Sequence, residues 1–207
     1  MNHLVATYGY LAVAFLVGVE SIGVPLPGET ILIVAAIYAG RTHRLSVVLI
    51  FAVAAAAAIV GDNIGFFIGD RGGYRLLRRY GHYVRIDEQK LKIGRYLFDR
   101  HGGKVVFLGR FVSVLRTYAA FLAGTNRMRW RKFLIYNTAG GIVWAGLYTF
   151  AAYSAGDAFR KASGTINLVL GAAALTAIIA AILVVRHQAA RIAQRAEAAY
   201  PGPLDDR

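Results

Sequence analysis

Long apolar runs, several of them interrupted by ionisable residues, constrain this chain more than any other feature of its sequence. They occupy 4–40, 45–68, 105–125, 133–155 and 166–185, and a helix needs about 20 apolar residues to cross a hydrocarbon core of ~30 Å. Hydrophobic residues make up 57% of the chain and charged residues 17%, against roughly 45–50% and about 25% in soluble domains. The sequence therefore predicts an all-α membrane protein. It excludes a disordered chain, a cytosolic enzyme and, because cysteine is absent, a disulfide scaffold.

The first run, 4–40, is too long for one crossing and too broken for two. It is interrupted at Glu20 and again at Pro25-Leu26-Pro27-Gly28-Glu29. The apolar flanks, 4–19 and 30–39, would rise only about 24 and 15 Å at 1.5 Å per residue. Because proline interrupts helical hydrogen bonding, we predict a re-entrant hairpin, which leaves the membrane on the side from which it entered.

A second apolar run, 105–125, contains Arg110 and Arg116. Residues six positions apart are separated by roughly 240° around an unbroken helix, so the two arginines would not share a face. They converge only if the chain turns between them, near residues 112–114. Such a turn would make this run a second re-entrant hairpin.

Three further runs, 45–68, 133–155 and 166–185, are predicted to be full transmembrane helices. If both hairpins return to the side from which they enter, a hairpin followed by a span occurs twice, and the second copy is inverted. Inverted repeats with discontinuous helices are an architecture of transporters, whose binding sites lie near the middle of the membrane. Residues 1–187 are then one polytopic membrane domain, and 188–207 a polar C-terminal tail.

The two predicted faces of this domain differ in positive charge. One carries 18 Lys and Arg residues, ten of them in 70–104 and four in 127–132, and the other carries four. The positive-inside rule places the basic face and the C-terminus in the cytoplasm, for a multi-pass protein of a bacterial inner membrane. Aromatic and basic residues alternate in 70–104, which predicts an amphipathic helical segment on a surface of anionic lipid. Nucleic-acid binding by this segment is disfavoured.

Five ionisable residues lie inside apolar stretches: Glu20, Glu29, Asp62, Arg110 and Arg116. A charge at the bilayer centre costs ~2.5–3.5 kcal/mol or more, so these groups must pair, become neutral or face water. One interpretation is a set of ion pairs that locks the two hairpins together. The other is a mid-membrane site in which the arginines bind a phosphate group and the acids carry protons.

Several other residues are candidates for supporting such a site. They are Pro25, Pro27, Gly28, Asn63, Ser113, Asn137 and Trp144. The prolines and the glycine would shape the first break, and a serine can bend a helix by bonding to its backbone. Asn137 and Trp144 suit helix packing and the lining of a pathway equally well. The five histidines are scattered without ligand spacing, so we predict neither a metal site nor a cofactor.

Three motifs resemble the signatures of the DedA membrane protein family. They are Glu20-x-x-Gly23-x-Pro25-x-Pro27-Gly28-Glu29; Gly61-Asp62-x-x-Gly65-Phe66-x-Ile68-Gly69 with Arg71 and Gly73; and Gly109-Arg110-Phe111 with Arg116-Thr117, followed by Ala123-Gly124, Met128, Phe133, Asn137, Gly140 and Trp144. The resemblance covers about residues 15–150. Ser113 and Ala120 stand where the family usually has proline, which leaves the second break and the substrate class less determined.

The resemblance implies an inner-membrane protein built on opposed re-entrant hairpins, without enzymatic activity. It also implies movement of lipids across the bilayer, above all undecaprenyl phosphate, in a manner tied to the proton motive force. The acids and arginines that the family needs match Glu20, Glu29, Arg110 and Arg116. A flippase for undecaprenyl phosphate is the leading hypothesis. The alternatives are a flippase or scramblase for phospholipids such as phosphatidylethanolamine, and a proton or cation antiporter; assembly into a homo-oligomer stays open.

Overall fold

A computed structural model describes residues 2–24, 26–80, 92, 96, 98, 100–111, 113–161 and 199. The elements in this part of the chain are helices: α1 Asn2–Ile22, α2 Gly28–Thr42, α3 Val47–Tyr80, α4 Lys104–Gly109, α5 Ser113–Thr125 and α6 Trp130–Lys161. The all-α prediction is thus confirmed for the described residues. The predicted span 166–185 lies outside them, as do nearly all of the tail 188–207 and much of the segment 70–104.

The helix breaks lie close to where the sequence predicts them. α1 ends at Ile22 and α2 begins at Gly28, on either side of a segment in which Gly23 has a φ of 120°. α4 ends at Gly109, and Arg110 and Phe111 form a turn before α5. The second turn therefore comes slightly before the predicted position.

α3 is longer than the span predicted at 45–68, because it continues to Tyr80 without interruption. The sequence places a boundary at residue 70, where apolar residues give way to basic ones. That change in polarity does not end the helix, since arginine, leucine and tyrosine are all compatible with helical backbone. The first part of the predicted surface segment is thus a continuation of α3.

Within the described residues, Val47–Gly72 is the one stretch of helix both long and apolar enough to cross a membrane, and Tyr8–Ile22 is a shorter apolar helix. The span predicted at 133–155 lies within α6. That helix has 32 residues, but polar residues such as Asn137 and Thr149 make it less apolar. Its crossing of the membrane stays a prediction.

Helix directions follow from the order of contacts along each pair of helices. On α1 and α3 the contacts advance together: Tyr10 with Ser46, Gly18 with Ala57, and Ile22 with Gly65. They advance together also on α4 and α6: Gly103 with Tyr136, Phe107 with Gly140, and Arg110 with Gly141. On α3 and α6 they run in opposite senses: Asn63 with Trp130, Ile59 with Asn137, and Phe51 with Phe150. α1 and α3 are therefore parallel to each other and antiparallel to α4 and α6.

The second helix of each hairpin packs on the long helix of the other half. α2 is parallel to α6, because Glu29 contacts Tyr148 near the start of α2 and His43 contacts Asp157 just after its end. α5 runs parallel to α3 overall, because Arg116 near its start interacts with Asp62, whereas Phe121 and Gly124 further along pack on Gly69 and on Phe66 and Asp70. Because α1 and α2 are antiparallel, as are α4 and α5, each broken segment is a helical hairpin that reverses direction. The two halves of the described chain are thus inverted copies of one arrangement.

Two apolar clusters form the core. One includes Val13, Leu32, Ile50 and Trp144, and the other Phe66, Val106, Leu122 and Phe133. On α3, Asp62 comes between the part that belongs to the first cluster and the part that belongs to the second. Asn137 has the corresponding place on α6. Polar groups on both long helices therefore lie between the two apolar layers.

Candidate functional site

The breaks in the two hairpins meet in the interior of the molecule. Glu20 and Glu29 flank the first break, and Arg110 and Arg116 flank the second. The expectation that the acids of the first hairpin face the arginines of the second holds for Arg116. Arg110 instead pairs with Asp62 on α3.

Arg116, near the start of α5, is held by three side chains. One terminal nitrogen donates a hydrogen bond to Oε1 of Glu20, and the other lies 2.9 Å from Oε2 of Glu29. The guanidinium carbon lies 5.1 Å from the centre of the Trp144 ring, within the range of a cation–π interaction. One cation thus joins both acids of the first hairpin to an aromatic face on α6.

Glu20 has a second role at the start of α2. Its Oε2 accepts a hydrogen bond of 3.1 Å from the backbone N–H of Glu29, whereas Pro27 at the N-cap position makes no side-chain capping bond. A carboxylate at a helix N-terminus satisfies a free N–H and interacts favourably with the helix dipole. Glu20 therefore caps α2 from across the break.

Gly28 makes this close approach sterically feasible. A Cβ at this position would lie 2.5 Å from Oε2 of Glu20 and 2.9 Å from Cα of Val17. Real Cβ atoms do not approach other heavy atoms that closely, so a side chain at Gly28 would displace Glu20 or the end of α1. Pro25 lies outside the described residues.

Arg110, at the end of α4, forms a more enclosed group. One terminal nitrogen donates to Oδ2 of Asp62 and, at 2.6 Å, to Oδ1 of Asn137. The amide nitrogen of Asn137 donates in turn to the carbonyl oxygen of Ile59 at 3.2 Å. Gly140 leaves room for this side chain, since a Cβ there would lie 3.1 Å from Cδ of Arg110, which is tighter than an ordinary contact. Asn137 thus links Arg110 to the backbone of α3.

The exposed fractions of these side chains differ in a consistent order. They are 4% for Arg110, 8% for Asp62, 10% for Arg116, 13% for Glu20 and 31% for Glu29. These five residues form one charged group, which is most accessible at Glu29 and most buried at Arg110.

Two buried nitrogen donors next to these charges have no protein partner within the described part of the chain. They are Nε of Arg110 and Nε1 of Trp144. Buried donors are normally satisfied by protein or water, and free N–H groups beside guanidinium groups are what an oxyanion binds. The two arginines therefore have two unused N–H donors beside them.

The remaining candidates have less direct places. Asn63 donates to the carbonyl of Ile59 at 2.8 Å and accepts from Trp130 at 2.9 Å, so it joins α3 to α6 outside the charged group. Ser113 is the first residue of α5, and its side chain lies outside the described ones. Tyr148 was missed by sequence reasoning although its hydroxyl interacts with Glu29. Its spacing of four from Trp144, which puts both rings on one helix face, is the signal that could have found it.

Comparison with known proteins identifies the family. Residues 26–154 match the VTT domain. The chain belongs to the VTT-domain, or DedA, family. Three relatives illustrate the range of similarity. A membrane protein of Synechocystis sp., described only as uncharacterized, is 40% identical over 156 residues, which cover 75% of this chain and 71% of that protein. Protein DedA of Escherichia coli is 32% identical over 92% of this chain and 90% of that protein.

The third relative is undecaprenyl phosphate transporter A of Staphylococcus aureus. It is 28% identical over 70% of this chain and 72% of that protein. No solved structure gives a significant match. As a DedA-family protein, this chain is a membrane protein. The family match covers every charged residue of the group except Glu20.

Proposed function

We propose that this DedA-family protein transports a lipid phosphate across the membrane, with undecaprenyl phosphate as the substrate. Arg116 and Arg110 bind the phosphate, and Glu20, Glu29 and Asp62 bind protons. The observation that carries the proposal is the placement of Arg116. It is shared by two carboxylates at the meeting point of two helix breaks, and one of those carboxylates, that of Glu29, is partly exposed.

A phosphate can replace the carboxylates on Arg116 without leaving the guanidinium unpaired. Guanidinium groups bind carboxylate and phosphate with similar bidentate geometry. A phosphate that approaches from the open side at Glu29 would displace Glu29 first. The free Nε1 of Trp144 and Nε of Arg110 are then available as additional donors.

Proton binding follows from the balance of charges. Glu20, Glu29 and Asp62 carry three negative charges when ionised, against two positive charges on Arg110 and Arg116. Burial of an uncompensated charge is unfavourable, and a phosphate on Arg116 would leave Glu20 and Glu29 without their cation. We expect these acids to take up protons when the lipid binds and to release them when it leaves. A membrane potential of 100 mV supplies ~2.3 kcal/mol per charge moved, enough to bias the direction.

In the proposed membrane arrangement both hairpins are re-entrant and three helices cross the bilayer. Support comes from the two ends of the described bundle. The contacts of α1 and α2 bring Arg41 and Arg44 to the same end as Asp157, whereas Arg71 and the basic residues 127–132 lie at the other. The positive-inside rule assigns that second end, and with it the C-terminus, to the cytoplasm.

The choice of undecaprenyl phosphate rests on the name of the Staphylococcus aureus relative. The charged group itself specifies a phosphate and not a lipid tail. Phosphatidylethanolamine carries a phosphate too, so it is the comparison substrate in the experiment. An antiporter would move ions through the same acids in vesicles that lack either lipid.

The test is translocation of labelled undecaprenyl phosphate in proteoliposomes with and without a proton gradient. We expect the wild-type protein to move the lipid, Arg116→Ala to lose at least nine-tenths of the rate, and Glu29→Gln to move lipid without a response to the gradient. Arg129→Ala is the matched control, because Arg129 is exposed and has no place in the charged group.

The proposal fails if folded wild-type protein moves no undecaprenyl phosphate, or if Arg116→Ala moves it at the rate of Arg129→Ala. Movement of phosphatidylethanolamine alone would keep the arginine site and replace the substrate. Ion flux without lipid movement would establish the antiporter instead.

A further inference from the structure

A groove runs along the outer side of the α1–α3 pair, away from Arg116. Its first part, the trough, has a volume of about 470 Å³ and is lined only by apolar residues and glycine. These are Ala14, Phe15, Gly18, Val19 and Ile22 on α1, and Val53, Ala56, Ala57, Val60, Gly61 and Ile64 on α3. A second cavity of about 560 Å³ continues from Ile64 along α3 to Arg71.

Small residues at the helix contact create this groove. Gly61 approaches α1 so closely that a Cβ on it would overlap the carbonyl oxygen of Gly18, and a Cβ on Gly18 would be in ordinary contact with Ala57. Ala56 adds little bulk, while Phe15 and Val60 stand out on either side, 66% and 58% exposed. The result is an apolar trough between two parallel helices, open toward the surroundings.

The whole groove has the length of a hydrocarbon core. The trough extends on α3 from Val53 to Ile64 and the second cavity from Ile64 to Gly72, together about 29 Å at 1.5 Å per residue, against a core of ~30 Å. Both parts lie within Val47–Gly72, the stretch of α3 that is apolar enough to cross a membrane. An acyl chain that starts beside Arg71 therefore passes Ile64 before it enters the trough.

The end of the groove is cationic and aromatic. The guanidinium carbon of Arg71 lies 5.6 Å from the centre of the Phe67 ring, and Phe67 stacks on Trp130 at 6.2 Å. Arg71 is the last but one residue of the apolar stretch. An arginine and a tryptophan at the end of such a stretch lie at the depth of lipid headgroups.

We propose that this groove binds an anionic phospholipid, with the phosphate on Arg71 and an acyl chain that runs along the second cavity past Ile64 into the trough. The apolar lining matches the chain, and the charge of Arg71 matches the headgroup. The site is separate from the charged group around Arg116 and does not depend on the proposed transport. It makes the membrane's anionic lipid a ligand of this protein.

Trp130 provides the measurement, because the chain has only two tryptophans and the other, Trp144, is buried. In a Trp144→Phe background, fluorescence of Trp130 reports on lipid beside Arg71. The probe is phosphatidylglycerol with brominated acyl chains, which quench tryptophan, against brominated phosphatidylcholine in the same vesicles. A cationic side chain at the interface is worth ~1 kcal/mol toward anionic lipid, so we expect about a fivefold preference for phosphatidylglycerol.

Variants separate the headgroup from the chain. Arg71→Ala should remove the preference, Arg71→Lys should retain most of it, and Arg129→Ala, which changes an exposed arginine next to Trp130 but outside the groove, should leave it intact. Ala56→Phe fills the trough and should weaken quenching by both lipids. Ala151→Phe, at an exposed position on α6, should not.

The proposal is overturned if the two lipids quench equally before any change at Arg71, or if Arg71→Ala behaves like Arg129→Ala. It is also overturned if Ala56→Phe alters the oligomeric state while the lipid preference is insensitive to Arg71. That result would make the groove an interface between copies of the chain.

Discussion

At the scale of single residues, Arg110 and Asp62 are the most enclosed charges of the group, with side chains 4% and 8% exposed. Arg116 and its acids are more accessible. The two arginines therefore have different tasks in the proposed mechanism. Arg110 fixes the end of α4 against α3 and offers the phosphate only its free Nε, whereas Arg116 exchanges its partners.

We expect Asp62→Asn to lower the free energy of unfolding by about 3–5 kcal/mol, because removal of one partner leaves the other buried without compensation. Thermal and denaturant unfolding in detergent measure this loss. Asp70→Asn, an exposed position on the same helix, is the control and should change stability by less than about 0.5 kcal/mol.

A second variant distinguishes ion pairing from shape. Asp62→Leu combined with Arg110→Met removes both charges, and it should be more stable than Asp62→Asn alone, because no unpaired charge is left inside. Equal stability of Asp62→Asn and Asp70→Asn would show that the pair contributes nothing to the fold.

The sequence identified all five of these ionisable residues because charges inside apolar runs are conspicuous. It could not assign the partners. Asp62 and Arg110 are 48 positions apart, and their meeting depends on how α4 settles against α3. The role of Tyr148 was not predicted for a related reason. A tyrosine in an apolar helix is common, and only the fold shows that Glu29 lies beside it.

At the scale of helices, the start of α2 depends on a group that belongs to α1. Pro27 cannot cap the helix with its side chain, and the Glu20 carboxylate accepts the N–H of Glu29. The same carboxylate pairs with Arg116. A change of charge on Glu20 would therefore act on the α2 terminus and on Arg116 together.

We expect Glu20→Ala to be less stable than Glu20→Gln by about 1 kcal/mol, the typical value of a helix cap. Glutamine keeps an oxygen that can accept the Glu29 N–H, and alanine does not. Unfolding in detergent measures the difference. Glu29→Gln is the control, because it weakens the pairing with Arg116 and leaves the cap in place. Equal stability of the two Glu20 variants would contradict a capping role.

Breaks in helices were easier to predict than their ends. The prolines after Glu20 and the paired arginines at 110 and 116 placed both turns within a few residues. The continuation of α3 to Tyr80 was not predictable from hydropathy, which reports the polarity around a helix and not its hydrogen bonding. The register that seats Gly124 on α3 likewise depends on packing between distant segments.

At the scale of the whole molecule, the two ends of the bundle differ in charge, and this difference predicts its orientation. The chain has no cysteine, so single cysteines can be introduced without other changes. We expect Cys in place of exposed Arg129 to react with an impermeant maleimide only from the cytoplasmic side. Cys in place of exposed Arg44 should react only from the outside.

The wild-type chain, which has no cysteine, is the negative control for this labelling. Reactivity of both positions from one side would contradict the proposed number of crossings, and reactivity on exchanged sides would reverse the orientation. Sequence reasoning could propose this topology only by assuming that both hairpins return. The order in which contacts follow one another along the helices supports that assumption for the described residues. The last predicted span lies beyond them.

The packing of α2 on α6 and of α5 on α3 determines whether one half of the chain could fold without the other. The second helix of each hairpin packs mainly on the long helix of the other half, so each half depends on the other for part of its core. A protein of one half alone would leave this helix without its main packing partner unless a second copy in the opposite orientation supplied one. The single chain would then be the fused form of a dimer whose subunits were never complete by themselves.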